Sequence, residues 1–253
     1  MIGASGTLNA RILGDPARPP IILLHGWGGS IASVAALQDR LSKLYYVHAL
    51  DLPGFGATPP PPIAWDVADY AAAVIAYMDS ARLSRVHLIG HSFGGRISVV
   101  LGADYPTRIH KIVLTSTPGL IAPSDKHFHP RRTVYRSIRR TLNAIGLKTI
   151  ATRVQQWYWN RYASDDYKQA GVLKETFIKV VQQDLAPYAR RITASTLLIW
   201  GDQDQDAPLW QGQQYEKLIA DAGLVVMQGV GHFAYLERPT DFTHIVETFF
   251  AGS

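Results

Sequence analysis

The chain of 253 residues contains no cysteine, which excludes disulfide bridges, a thiolate nucleophile and cysteine-ligated metal sites. It also lacks any apolar run near the roughly 18 residues that a membrane-spanning helix needs. Its first residues (Met-Ile-Gly-Ala-Ser-Gly) lack the basic stretch and the apolar core of a secretory signal. These absences predict a cytoplasmic protein with no integral membrane segment.

The chain has few charged residues, 18% in all, and a net charge of +5 at pH 7. Basic residues outnumber acidic ones within residues 119–191, whereas the rest of the chain is mildly acidic. Such a basic segment favours an anionic small-molecule substrate, although a solvated helix face gives the same pattern.

Sequence patterns for common cofactor sites are missing. The glycine-rich residues 26–29 continue into neither the G-x-x-x-x-G-K-[ST] nor the G-x-G-x-x-G pattern. His127 and His129 form an incomplete metal site, because no third ligand lies in an obvious register. We therefore expect no metal, no organic cofactor and no nucleic-acid partner.

Short apolar runs alternate with segments of helical periodicity along most of the chain. The pattern predicts strands at residues 8–13, 21–24, 45–50, 86–89, 111–114, 196–200 and 224–227, and helices at residues 33–44, 67–78, 96–105, 209–220 and 239–250. Asp66 is the predicted N-cap of the second helix. Strands that alternate with helices predict an α/β protein with a doubly wound, mostly parallel sheet.

The alternation stops after Pro118. From about Arg131 to Lys179 the periodicity is helical, with no convincing strand, and the strand–helix alternation returns at residue 196. Residues 119–189 are therefore predicted to be a helical cap inserted into an α/β core formed by residues 1–118 and 190–253.

A strand, a glycine-rich pentapeptide and a helix follow one another at residues 86–105. The pentapeptide, residues 90–94 (Gly-His-Ser-Phe-Gly), has the G-x-S-x-G pattern of a nucleophile elbow, with Ser92 as its serine. A strand that turns at once into a helix crowds its pivot residue, and the flanking glycines leave room for it. The turn lifts the hydroxyl of Ser92 clear of the sheet and points the first helical amides at the same place.

Four ordered motifs resemble those of the α/β-hydrolase superfamily, in particular its small esterases and C–C hydrolases with a helical cap. They are residues 25–28 (His-Gly-Trp-Gly), residues 51–56 (Asp-Leu-Pro-Gly-Phe-Gly), the elbow, and a pair of loops that carry an aspartate and a histidine. The resemblance runs from about Pro20 to the C-terminus, although the cap matches only in position and helical character. It implies an α/β-hydrolase fold.

The same resemblance implies a catalytic triad in the chain order Ser, acid, His. A serine hydroxyl needs an adjacent base, which a third group holds in place. The family pattern G-x-x-D-x-x-x-P places the acid on Asp204, and the histidine falls on His232. Composition alone leaves Asp202 and Asp206 open as the acid. Residues 115–118, the alternative position for the acid, contain no carboxylate.

Other roles implied by the resemblance concern the neighbourhood of Ser92. The backbone N–H groups of Trp27 and Phe93 form the oxyanion hole, while His25 braces its loop. Since neighbouring side chains of a strand point to opposite sides, His91 is expected to pack. The aromatic segment 157–162 includes Trp157 and Tyr158 as candidate substrate-binding residues, although such segments also pack helix against helix.

These observations predict a serine hydrolase that cleaves carboxylic esters of small to medium acyl groups through an acyl-enzyme. A serine nucleophile argues against the dehalogenase and epoxide-hydrolase branches, which use an aspartate. The alternatives are a C–C hydrolase of β-diketone-type acids, a thioesterase, a lactonase or a perhydrolase, and, from another class, a ligand receptor on the same fold. The expected partner is a small ester-like molecule, and the expected state is a monomer or a small homo-oligomer.

Overall fold

A computed structural model of the protein describes residues 8–121 and 170–252. Seven strands lie in these residues: β1 (Ala10–Leu13), β2 (Pro20–Leu24), β3 (Tyr46–Leu50), β4 (Val86–His91), β5 (Ile109–Thr115), β6 (Ser195–Gly201) and β7 (Ala222–Met227). They form one sheet in the order β1-β3-β2-β4-β5-β6-β7. Only β1 runs antiparallel to its neighbour, at one edge of this sheet. The predicted α/β fold with a mostly parallel sheet is confirmed.

The helices of the described residues are α1 (Ile31–Leu41), α2 (Val67–Ser80), α3 (Phe93–Asp104), α4 (Lys174–Gln182), α5 (Ala186–Ala189), α6 (Trp210–Leu218), α7 (Ala234–Glu237) and α8 (Pro239–Ala251). Short 3-10 turns lie at Pro106–Arg108 and Gly171–Leu173. Asp66 caps α2 as predicted, since its carboxylate accepts hydrogen bonds from the N–H groups of Ala68 (2.8 Å) and Asp69 (3.1 Å).

Helices on both faces bury the central strands. The helices α1 and α8 pack on one face, and α2 and α3 pack on the other. All six residues of β4 are consequently buried, the polar residues His87 and His91 among them. Because the strands from β2 to β7 run parallel, the loops that follow β2, β4, β5, β6 and β7 meet at the carboxyl edge of the sheet.

The chain forms two compact units, one of residues 1–120 with 175–253 and the other of residues 121–174. Of the second unit, the structure describes Ile121 and residues 170–174. The predicted cap over residues 119–189 remains a prediction, because the helical segments expected between residues 131 and 169 lie outside the described residues. Helices α4 and α5 are almost wholly part of the first unit.

Candidate active site

Ser92 lies between β4 and α3 in a strained backbone conformation. Its φ of +50° falls in the left-handed region that residues with a side chain rarely adopt. Its N–H donates to the carbonyl of Thr115 at the end of β5 (3.0 Å), and its carbonyl accepts from the N–H of Arg96 in α3 (3.1 Å). Hydrogen bonds on both sides thus hold the turn, and Ser92 remains partly exposed.

The glycines around Ser92 allow three segments of backbone to approach one another. A Cβ on Gly94 would overlap with the carbonyl of Leu24 in β2, and a Cβ on Gly95 would overlap with the side chain of Thr117. The close approach lets α3 begin at Phe93 instead of at the predicted Arg96. The glycines predicted to form a turn therefore belong to the first turn of the helix.

The loop that follows β2 lies against this elbow. The carbonyl of His25 accepts a hydrogen bond from the N–H of Gly94 (3.0 Å), and a Cβ on Gly26 would lie 3.4 Å from the Cβ of Ser92. Among residues 8–121 and 170–252, the N–H groups of Trp27 and Phe93 donate no hydrogen bond to another protein group. Free amides beside a hydroxyl, one of them at a helix N-terminus, suit the stabilisation of a developing oxyanion.

His25 joins this loop to the loop that follows β3. Its Nε2 accepts a hydrogen bond from the N–H of Leu52 (3.1 Å), so its Nδ1 carries the proton and donates to the carbonyl of Gly26 (2.8 Å). Burial lowers the pKa of His25, while the bond to Gly26 and the charge of Asp51 act in the opposite direction. A neutral, fully bonded imidazole of this kind braces the loop, as the sequence resemblance implied.

The loops after β6 and β7 bring Asp204 and His232 together. Both carboxylate oxygens of Asp204 lie 3.0 Å from Nδ1 of His232. The Asp204 side chain is fully buried and that of His232 is 12% exposed. One carboxylate oxygen of Asp204 also accepts hydrogen bonds from the N–H groups of Asp206 (3.0 Å) and Ala207 (2.9 Å). Asp202 instead accepts a hydrogen bond from the N–H of Gly229 (2.7 Å), and among the described residues neither Asp202 nor Asp206 bonds to His232.

The hydrogen bonds to Asp204 set its ionisation. Burial by itself raises the pKa of Asp204, but the bonds from His232 and from the N–H of Ala207 outweigh this effect, so that the pKa lies below its usual value. The hydroxyl of the fully buried Ser116, which directly follows β5, also lowers the pKa of Asp204. Asp204 is therefore an anion at neutral pH and is able to stabilise a proton on Nδ1 of His232.

His91, the residue before Ser92, contacts His232. The two rings lie with 4.8 Å between their centroids, and Nε2 of His91 lies 3.0 Å from the His232 carbonyl oxygen. The Ser92 hydroxyl itself makes no hydrogen bond to another of the described residues. The sequence pattern predicts only packing for His91 and contains no signal for its hydrogen bond, because the register of residues distant in sequence decides it.

Aromatic rings surround the oxyanion loop. The ring of Trp27 contacts Phe55 (5.0 Å between centroids), Phe93 (5.1 Å) and Phe177 (5.0 Å). Phe55 belongs to the motif at residues 51–56, so the sequence contained a signal for its proximity, whereas nothing in the sequence around Phe177 placed it here. The candidate pocket residues Trp157 and Tyr158 lie outside the described residues, as do His127 and His129.

Metal-ligating clusters and membrane-spanning helices are both absent from the part of the chain that the structure describes. In residues 8–121 and 170–252 no group of three or more His, Cys, Asp or Glu side chains is placed to hold a metal ion. None of the helices in the same residues is long and apolar enough to cross a membrane.

Comparison with known proteins identifies the family. A family model described as the alpha/beta hydrolase fold matches residues 19–239. The chain is 24% identical over 245 residues to a pimeloyl-[acyl-carrier protein] methyl ester esterase of Aeromonas hydrophila, covering 91% of this chain and 95% of that protein. It is 27% identical over 272 residues to a 2-hydroxy-6-oxo-2,4-heptadienoate hydrolase of Pseudomonas putida, covering 98% and 95%. It spans 63% of the length of another curated relative.

The solved structures agree with this result. The structure of an enol-lactonase from Burkholderia xenovorans superposes with a TM-score of 0.73 at 24% identity, covering 97% of this chain and 96% of that chain. The chain belongs to the α/β-hydrolase family, and the protein is a hydrolase.

Proposed function

We propose that the protein is a serine hydrolase that cleaves carboxylic esters of small to medium acyl groups. In this mechanism Ser92 is the nucleophile, His232 is the general base and then the general acid, and Asp204 holds the imidazole. The N–H groups of Trp27 and Phe93 bind the oxyanion. No metal or organic cofactor takes part.

The reaction proceeds in two halves. The Ser92 hydroxyl attacks the ester carbonyl while Nε2 of His232 takes its proton, and the carbonyl oxygen becomes an anion beside the two free amides. The tetrahedral intermediate collapses, His232 returns the proton to the leaving alcohol, and an acyl-enzyme remains. Water, deprotonated by His232, then attacks the acyl-enzyme and releases the acid and the free Ser92 hydroxyl.

The observation that carries this proposal is the contact of Asp204 with His232. A buried anion that accepts a hydrogen bond from Nδ1–H fixes the tautomer in which Nε2 is unprotonated and available as a base. Burial without this partner would have raised the pKa of the carboxyl group, and a neutral acid could not stabilise an imidazolium ion. The strained Ser92 and the unbonded amide at the start of α3 support the same mechanism.

The relatives include an esterase and also support a second candidate function. One relative is named as a methyl ester esterase, and another as a hydrolase of a 2-hydroxy-6-oxo acid, in which a C–C bond is broken. In this chain the excess of basic residues at 119–191 would suit the carboxylate of such an acid. The same machinery would serve both reactions, and thioesters and lactones as well.

A covalent probe tests the nucleophile directly. A fluorophosphonate should add once per chain, and peptide mapping should place the adduct on Ser92. The adduct should be absent from Ser92→Ala and much slower to form in His232→Ala. If the folded protein takes up no label, the serine-hydrolase proposal is wrong and a ligand receptor on the same fold is the better explanation.

Substrate comparison tests the bond that is cleaved. A series of p-nitrophenyl esters from acetate upward should give the highest kcat/KM at small or medium acyl groups. A vinylogous 1,5-diketone acid should be a poorer substrate than these esters. A higher kcat/KM for the diketone acid than for the esters would replace the ester proposal by C–C hydrolysis. In that case, slower turnover of the diketone acid at high salt would implicate basic residues in binding.

Further parts of the proposal concern residues and properties outside the described site. Residues 119–189 form a helical cap, and Trp157 and Tyr158 are substrate-binding residues. The substrate is a small molecule, the protein works in the cytoplasm, and it is a monomer or a small homo-oligomer. Substitution of Trp157 by Ala should change the acyl-chain preference in the ester series more than it changes labelling of Ser92.

A further inference from the structure

His91 is the last residue of β4 and directly precedes Ser92. Its side chain is buried, with 3% of the residue's surface exposed, and Nε2 lies 3.0 Å from the carbonyl oxygen of His232. Since a carbonyl oxygen only accepts hydrogen bonds, Nε2 carries the proton and donates it. Nδ1 is therefore unprotonated.

Neighbouring groups confine the imidazole of His91. Its ring contacts the rings of Phe233 and Tyr235, each with 5.1 Å between centroids. On another side lies Gly26, where an added Cβ would stand 2.8 Å from Nδ1. Nδ1 itself has no hydrogen-bond partner in the described residues. The ring is thus held between the oxyanion loop and the His232 loop, and one hydrogen bond fixes its orientation.

Burial also keeps His91 uncharged. Desolvation, together with the charge of His232, lowers the pKa of His91 to about 3, although the bond to the His232 carbonyl and the charge of Asp204 oppose this effect. The ring therefore stays neutral when His232 takes a proton from the nucleophile. A second positive ring at this distance would oppose that transfer.

Other hydrogen bonds hold the amides that flank His232. The carboxylate of Glu237 accepts hydrogen bonds from the N–H groups of Gly231 (2.9 Å) and Phe233 (3.3 Å). Between these two amides, the carbonyl of His232 accepts a hydrogen bond from the side chain of His91. Two side chains from different elements therefore fix the peptide planes on either side of the catalytic ring.

We propose that His91 is a positioning residue for His232, because its Nε2–H fixes the His232 main chain and thereby the place of the imidazole relative to the hydroxyl of Ser92. The inference rests on the proposed function of Ser92 and His232. A misplacement of about 1 Å at a reacting group is enough to cost about a hundredfold in rate.

The test compares two amide side chains that differ by one methylene. His91→Gln places an N–H group near the position of Nε2, whereas in His91→Asn the amide is too short to reach the carbonyl of His232. His91→Leu removes the donor without burying an amide and provides a second variant if the asparagine chain folds poorly. The matched control is His87→Asn, because His87 is a buried histidine on the same strand, four residues before His91.

The readouts are kcat per active site and KM for a p-nitrophenyl ester, with active sites counted by fluorophosphonate titration. We expect kcat to fall about tenfold or more in His91→Asn and His91→Leu, with KM changed less than about twofold. His91→Gln should recover most of the loss, and His87→Asn should keep the kcat of the unchanged protein. Equal kcat per titrated site in all variants, with only the melting temperature lowered, would overturn the proposal and leave His91 a packing residue.

A spectroscopic measurement separates this inference from the proposed function. The Nδ1 proton of His232, bonded to Asp204, should give a downfield proton NMR signal in the unchanged protein and in His91→Gln. In His91→Asn that signal should shift or broaden. A protein that takes no fluorophosphonate and cleaves no ester contradicts the proposed function, and the NMR comparison still decides the role of His91. An unchanged signal in every variant would overturn the proposal that His91 positions His232.

Discussion

Gly201 at the end of β6 lies so close to Val230 that a Cβ on Gly201 would overlap with the Val230 carbonyl. This contact brings together the loops that carry Asp204 and His232. The two loops are further tied by the hydrogen bond from the N–H of Gln203 to the same carbonyl (2.9 Å). The distance between acid and base therefore depends on the absence of one methyl group.

Gly201→Ala should weaken both the fold and the proposed activity. The backbone at residues 230–231 must move to admit the methyl group, which costs about 1–3 kcal/mol of unfolding free energy as other overpacked sites do. Since His232 is the next residue, we also expect slower fluorophosphonate labelling. Gly223→Ala in β7 is the control, because no atom lies within 4 Å of its Cβ position. Urea unfolding and labelling rates measure both effects, and equal behaviour of the two variants would contradict the prediction.

Asp204→Asn should remove most of the activity while leaving the fold intact. The amide has nearly the same shape, but it favours the tautomer of His232 in which Nε2 is protonated, and it carries no charge to stabilise the imidazolium ion. We expect kcat to fall by about 10³- to 10⁴-fold. Asp206→Asn, an exposed carboxylate two residues away, should keep kcat within about twofold of the unchanged protein. A strong loss in both variants would show that the loop, and not the Asp204 charge, is responsible.

Glu237→Gln should reduce activity moderately. The carboxylate accepts from two backbone amides, and the glutamine side chain retains a single oxygen, so that its NH₂ group faces one of the N–H donors. Loss of one such bond costs about 1 kcal/mol, or about fivefold in kcat/KM if it acts on the transition state. Glu216→Gln is the control. Glu216 in α6 also accepts a hydrogen bond from a backbone amide, that of Leu224 in β7 (3.0 Å), but this bond does not involve the segment that carries His232. We expect its kcat/KM to stay unchanged.

Acid should destabilise the protein through two buried histidines away from the site. Burial lowers the pKa of His48 and, with help from nearby basic groups, that of His87, in each case to about 4. Between pH 6.5 and 4 the unfolded chain therefore binds protons that the folded chain refuses, so the free energy of unfolding falls as the pH falls. Each histidine should remove about 2 kcal/mol between pH 7 and pH 5.

Urea unfolding at pH 7 and pH 5 measures this loss. A His87→Gln chain should lose less stability on acidification than the unchanged protein, because one of the buried titrating groups is gone. His244→Gln, which replaces an exposed histidine of α8, should show the same loss as the unchanged protein. A pH dependence that is identical in all three chains would show that these buried rings are not responsible.

The order of elements could be predicted because each element carries its own local signal. The run at residues 21–24 is apolar without alternation, and such a run indicates a strand covered on both faces. Asp66 precedes a helical pattern and is its cap in the structure. By contrast, the sequence pattern places the start of α3 three residues after Phe93, since Gly94 and Gly95 are poor helix formers whose place in the helix depends on close contact with Leu24 and Thr117.

The short helix α7 and the contact of Phe177 with Trp27 were not predicted at all. A helix of four residues is too short for a periodic pattern. Phe177 lies far from Trp27 in the sequence, and only the folded chain brings their ring centroids within 5.0 Å.

By itself the sequence determined the fold class, the family resemblance and the residue types of the candidate site, because glycine spacing, apolar runs and loop motifs are local properties of the chain. The tertiary structure brought Asp204, the aspartate that the family pattern indicated, into contact with His232, and it placed His91 on the carbonyl of His232. These choices depend on how the ends of β4, β6 and β7 line up at one edge of the sheet. The bond between Asp204 and His232 spans 28 positions of the chain, and the bond between His91 and His232 spans 141. Contacts between residues so far apart have no signature in the local sequence.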